Sequence, residues 1–174
     1  KVGMGLDLYK NNQEARLVFE EVNDALGVNL SKIIFEGPDN VLTLTINTQP
    51  AIMTTSIAVV RVLEKELNIN LPEITEIVLG HSLGEYSALC AIGSLSLKET
   101  AVILRARGEA MQDSVEGIDT KMIAVIGMEV SAVEDELNKI DIPQNEVCEI
   151  ANDNCPGQVI LSGSKNILDF FSNT

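Results

Sequence analysis

Between Asn11 and Gly27 the apolar residues Ala15, Phe19, Val22 and Leu26 recur on one face of a helix, and Gly27 suits its C-terminus. Gly37-Pro38-Asp39-Asn40 reads as a turn. Pro50 opens a second helix to about Leu67, where its missing N–H is no loss, with Ile52, Ser56, Val59, Val60 and Leu63 spaced for burial. The short apolar run Ile74–Leu79 predicts a buried parallel strand. Helical spacing returns from Leu83 through Tyr86, Leu89 and Cys90 to Gly93. Ser96-Leu97-Lys98-Glu99 is a capping box opening a helix that passes Arg105 and Arg107 towards Met111.

The pattern changes near Gly117. A strand (Lys121–Ile126), a helix opened by a capping box at Ser131 and Glu134 and running to Lys139, strands over 146–151 and 158–162, and a helix over 165–171 come next, in the order β-α-β-β-α. That is the ferredoxin-like unit less its last strand. The expectation is an α/β protein in two parts: residues 1–116 within a hydrolase-like core on a parallel sheet, and residues 117–174 as an incomplete ferredoxin-like subdomain, truncated at both ends.

Charge narrows the function. Against 12 Lys and Arg stand 26 Asp and Glu, a net charge of −14, which opposes binding to a phosphate backbone; with aromatics at 3%, stacking on bases has little to build on. No nucleic-acid partner is expected. Apolar runs are too short for a bilayer and residues 1–10 hold no apolar signal core, so no membrane association and a cytoplasmic location are expected. Cys90, Cys148 and Cys155 form no paired motif and read as free thiols, and a single histidine leaves no metal-ligand cluster. Lys98, Arg105 and Lys121 are either a local basic patch or scattered solvated charges.

The chemistry concentrates at Gly80-His81-Ser82-Leu83-Gly84. A G-x-S-x-G between a strand and a helix is a nucleophile elbow: glycines flank a turn too tight for side chains, and the reversal thrusts the serine hydroxyl outward. The helix beyond the turn aims its free N–H groups at the reaction centre, so the Leu83 N–H is placed for an oxyanion. A serine nucleophile needs a base. His81, the only histidine, neighbours Ser82 in the turn and points elsewhere, which suits a packing or supporting role.

The run from Gly80 to Ala88 (GHSLGEYSA) closely resembles the active-site motif of malonyl-CoA:acyl carrier protein transacylases and related acyltransferase domains. Thr48-Gln49-Pro50-Ala51, Arg107-Gly108-Glu109-Ala110-Met111-Gln112 and Asn154-Cys155-Pro156-Gly157-Gln158-Val159 resemble further segments of that family, with Cys155 where the family usually has serine. Val2-Gly3-Met4-Gly5 resembles the stretch just after the family's glutamine-bearing loop.

The resemblance implies that Ser82 takes an acyl group from coenzyme A as a serine ester, that the Leu83 N–H forms half of the oxyanion hole, and that Arg107 binds the malonyl carboxylate. Gln49 and His81 would lie with it at the substrate. Without the resemblance, Arg107 is an ordinary surface arginine. The implied partners are malonyl-CoA and an acyl carrier protein, in fatty acid biosynthesis, with no cofactor because the coenzyme A thioester is a substrate. The family's catalytic histidine would fall beyond Thr174 and its loop glutamine before Lys1, leaving residues 1–174 without a base. Two other readings share the elbow: an α/β-hydrolase-type esterase or thioesterase, and a non-catalytic carrier-protein binding module.

Overall fold

The computed structural model describes residues 1–172. Their contacts divide the chain into two compact units, Lys1–Ser114 and Val115–Thr174.

The first unit is helical: α1 (Leu6–Asn11), α2 (Gln13–Leu26), α3 (Leu30–Glu36), α4 (Asp39–Leu42), α5 (Thr45–Leu67), α6 (Leu71–Ile74), α7 (Leu83–Ala91) and α8 (Leu97–Asp113). α2, α5 and α8 pack mutually, burying Phe19, Val22, Met53, Ile57, Ala101 and Leu104. Tyr9 meets Phe19 edge-on at 5.7 Å, a geometry ring quadrupoles favour. Gly27 ends α2 in the left-handed conformation at φ 63°. The box at the start of α8 is complete: Ser96 Oγ accepts from the Glu99 N–H, and Glu99 accepts from the Ser96 N–H.

Three expectations fail here. Ile74–Leu79 is not a strand: α6 ends at Ile74, the chain beyond is irregular, and Ile77 (73% exposed) and Leu79 (88% exposed) are not buried. A strand needs a neighbouring ladder of N–H and C=O groups, and among the described residues none lies beside this segment. α5 begins five residues before Pro50, at Thr45, because the Gln112 side chain on α8 accepts from the Ile46 N–H at 3.0 Å and caps it from outside. α5 also buries Ala51, Met53, Thr54, Ile57 and Ala58, while Ile52, Val59 and Leu63 are exposed, so the buried face is rotated from the expected one.

In the second unit β1 (Thr120–Ile126), α9 (Val130–Leu137), β2 (Cys148–Cys155), β3 (Gln158–Ser164) and α10 (Lys165–Ser172) come in that order. The strands form one antiparallel sheet, β1-β3-β2, with Ala124 opposite Ile160 and Ile150 opposite Leu161. Val133, Cys148, Val159, Leu161 and Leu168 form its core. The expected box at Ser131 is absent: α9 starts earlier, with Glu129 as its N-cap and no side-chain cap bond. Lys121 pairs with Asp169 at 2.5 Å, and in the first unit Arg105 donates to Asn47 at 2.9 Å, so neither cation is simply solvated. The described residues make an α/β protein whose sheet is antiparallel rather than parallel.

Candidate functional site

Ser82 is the N-cap of α7, at φ 53° and ψ −116°, a conformation that L side chains rarely adopt. The reversal that puts it there is tight. A Cβ on Gly80 would fall 2.0 Å from the Gly84 carbonyl carbon and 2.4 Å from the Glu85 nitrogen, so only glycine fits. Gly84 is different: a Cβ there would meet nothing within 4 Å among the described residues, so its smallness is not required by local packing. The Gly84 N–H donates to the His81 carbonyl at 2.8 Å and the Glu85 N–H to the Ser82 carbonyl at 3.2 Å, closing the turn. Leu83 is the first residue of α7, where an N–H has no intrahelical acceptor.

α8 brings a cation to this turn. Arg107 Nη2 donates to Ser82 Oγ at 3.1 Å. Arg107 Nη1 donates to Gln49 Oε1 on α5. The guanidinium carbon also lies 5.9 Å from the centre of the Tyr86 ring, one turn into α7, within cation–π range. The arginine is thus held from three sides by residues of α5, α7 and the elbow.

Close helix packing makes this reach possible. A Cβ on Gly108 would lie 2.6 Å from Ile46 Cα and 2.8 Å from the Thr45 carbonyl oxygen, so α8 and the start of α5 touch backbone to backbone. Gln49, one turn further along α5, is 3% exposed; its Nε2 donates to Met111 Sδ at 3.4 Å. Ser82, Gln49 and Arg107 therefore meet, with Leu83 adjoining. His81 is exposed at the turn. Sequence reasoning passed over the contacts of Tyr86 and Met111 with this group. The available signal was spacing: Tyr86 comes four residues after Ser82, and Met111 four after Arg107, each one helical turn.

Burial pushes the Cys90 thiol up, with a hydrogen bond to Thr100 opposing it more weakly, so Cys90 is a poor competing nucleophile. Among the described residues no group of acidic, histidine and cysteine side chains is placed to hold a metal, and no helix is long and apolar enough to cross a membrane. A groove of about 570 Å³ whose lining includes Glu14, Glu21, Glu64, Arg61 and Lys65 does not include Ser82, Gln49 or Arg107.

Known proteins are similar to this chain over nearly all of its length. The malonyl CoA-acyl carrier protein transacylase of Bacillus subtilis is 44% identical over 163 residues, 94% of this chain and 50% of that protein. The crystal structure of an acyl-carrier-protein-S-malonyltransferase from Bartonella henselae is 48% identical with a TM-score of 0.89, covering 98% of this chain and 53% of that one. A malonyl-transacylase solved in complex with a type II PKS acyl-carrier protein is 30% identical with a TM-score of 0.82, covering 97% of this chain and 53% of that one. The chain spans about half the length of these relatives. The model of the acyl transferase domain matches residues 1–174, and the chain belongs to that family.

Proposed function

We propose that residues 1–174 carry the nucleophile and the acyl-recognition half of a malonyl-CoA:acyl carrier protein transacylase acting in fatty acid biosynthesis. The observation that carries this reading is the Arg107 guanidinium 3.1 Å from Ser82 Oγ. A malonyl ester on that oxygen ends in a carboxylate three bonds away, and a fixed planar cation at this distance suits that short, anionic acyl group. A neutral ester or a long acyl chain gains nothing from the same charge, which favours a malonyl transferase over an esterase or thioesterase.

In the proposed reaction Ser82 Oγ attacks the malonyl thioester carbonyl as its proton passes to a base. That base lies outside residues 1–174 in this reading, since the sole histidine adjoins the nucleophile within the elbow. The tetrahedral oxyanion takes the Leu83 N–H, helped by the positive end of α7. The C–S bond breaks and coenzyme A leaves with a proton. Malonyl-Ser82 then waits, its carboxylate on Arg107, and Gln49 keeps that guanidinium in place from its other side. The thiol of a phosphopantetheine arm on the acyl carrier protein attacks, and Ser82 is restored. His81, at the elbow, is assigned a supporting role beside the substrate.

The finer fold belongs to the same proposal. Residues 1–116 are read as part of an α/β acyltransferase core, and residues 117–174 as part of a ferredoxin-like subdomain. The β-α-β-β-α order of the second unit supports the latter. The reaction uses no cofactor and a soluble, cytoplasmic setting suits it.

Trapping tests the reading. The full natural polypeptide that contains this chain, incubated with malonyl-CoA and no acceptor, is expected to gain one malonyl group that peptide mapping assigns to Ser82 and that Ser82→Ala abolishes. A malonyl group found on another residue would overturn it.

A further inference from the structure

We infer that Met111 is a positioning residue for the acyl site: its thioether holds the Gln49 amide in the one orientation that lets Gln49 steady Arg107. The Arg107 guanidinium has donors only, so the Gln49 atom facing it must be the oxygen. That turns Nε2 the other way, where Met111 Sδ accepts from it at 3.4 Å. At 3% exposure Gln49 has little recourse to water. Reversing the amide would set NH2 against guanidinium and carbonyl oxygen against sulfur lone pairs, wrong at both ends. The sulfur is therefore the feature that distinguishes the two ends of Gln49 on the side away from Arg107.

The spacing makes this a single device. Met111 lies one turn beyond Arg107 on α8, so the helix that supplies the cation also supplies the group that fixes the cation's partner. A thioether suits the place because it accepts weakly and carries no charge. A carboxylate there would compete with the substrate for Arg107, and a hydrocarbon would leave the amide N–H groups without their acceptor.

The kinetic half of the inference rests on the malonyl reading of the site; the geometric half does not, and the test separates them. In the full natural polypeptide, Met111→Leu keeps the apolar bulk and removes the acceptor, while Met111→Gln restores one. The first variant is expected to lower the ratio of malonyl to acetyl transfer onto Ser82 about 3- to 10-fold, the size of one lost hydrogen bond, and the second to recover much of it. In 1H–15N spectra the Gln49 side-chain NH2 signals, assigned by their loss in Gln49→Glu, are expected to shift in Met111→Leu. Equal loss with both acyl donors together with unmoved Gln49 signals would mean that Met111 only packs, and would overturn the inference. Should Arg107→Ala leave the malonyl preference intact, the malonyl reading fails, and the Gln49 signals alone decide for or against Met111.

Discussion

The Arg107 guanidinium donates to Ser82 Oγ across 3.1 Å, joining the C-terminal half of α8 to the cap of α7. Residues 25 apart in sequence thereby become one chemical unit. Arg107→Ala is expected to lower kcat/KM for malonyl transfer about 10- to 100-fold, the range of a charge-assisted hydrogen-bond pair. Arg107→Lys should recover only part of this, because a point charge does not match a carboxylate with two parallel bonds. Steady-state kinetics with malonyl-CoA and acetyl-CoA in parallel check both statements; acetyl transfer should change far less.

The elbow predicts an asymmetry between its glycines. Gly80→Ala forces a methyl into the Gly84 backbone and is expected to abolish fluorophosphonate labelling of Ser82 and to lower the melting temperature. Gly84→Ala meets open space and should leave labelling within a few fold of the parent. Labelling by an activity probe, with thermal unfolding alongside, separates the two.

Ser82 itself sits at a positive φ that glycine tolerates without cost. Ser82→Gly is expected to stabilise the chain by about 1 kcal/mol while abolishing acyl transfer, as strain held at functional positions requires. Ser82→Ala, which keeps a Cβ, should give no such gain. Denaturant unfolding of the two variants makes the comparison.

Acid should weaken the second unit. The hydrogen bond from Lys121 holds the Asp169 carboxyl below its ordinary value of 3.8, and bonds from Ser164 and Asn166 hold Glu146 below 4.5. Groups depressed on folding contribute stability above their unfolded values and lose it as pH falls through the folded ones. Thermal unfolding followed from pH 7 downward should therefore show a decline that sets in below about pH 5. Lys121→Met should flatten it. Both carboxylates are partly open to solvent, so the effect should shrink in high salt.

What the sequence displayed of this fold was local. α2, the box of Ser96 and Glu99 opening α8, and the strand β1 follow from apolar spacing and from caps lying within a few residues of one another. The start of α5 was illegible because its cap is Gln112, 66 residues away. The face of α5 was misjudged for a related reason: the long helix is apolar on more than one side, and the helices packed on it, chiefly α2, α7 and α8, decide which side is covered. Ile74–Leu79 misled because β-branched residues advertise a strand without saying what it will pair with. At the site, Ser82 and its turn were plain from two glycines and a helix. The meeting of Gln49, Tyr86, Arg107 and Met111 depended on Gly108, whose meaning emerges only when α5 lies against it.

On the proposed reading, that backbone contact ties acyl choice to folding. On α8, Gly108 sets how near two helices can come, its immediate neighbour Arg107 is the residue proposed to read the incoming acid, and Gln112 starts the opposite helix. A lineage drifting towards a bulkier or uncharged acyl group could not alter this stretch for taste alone. Each change to the reader would also be felt by the joint that keeps the two rods together, so new substrate preferences would arise more readily from the other walls of the site.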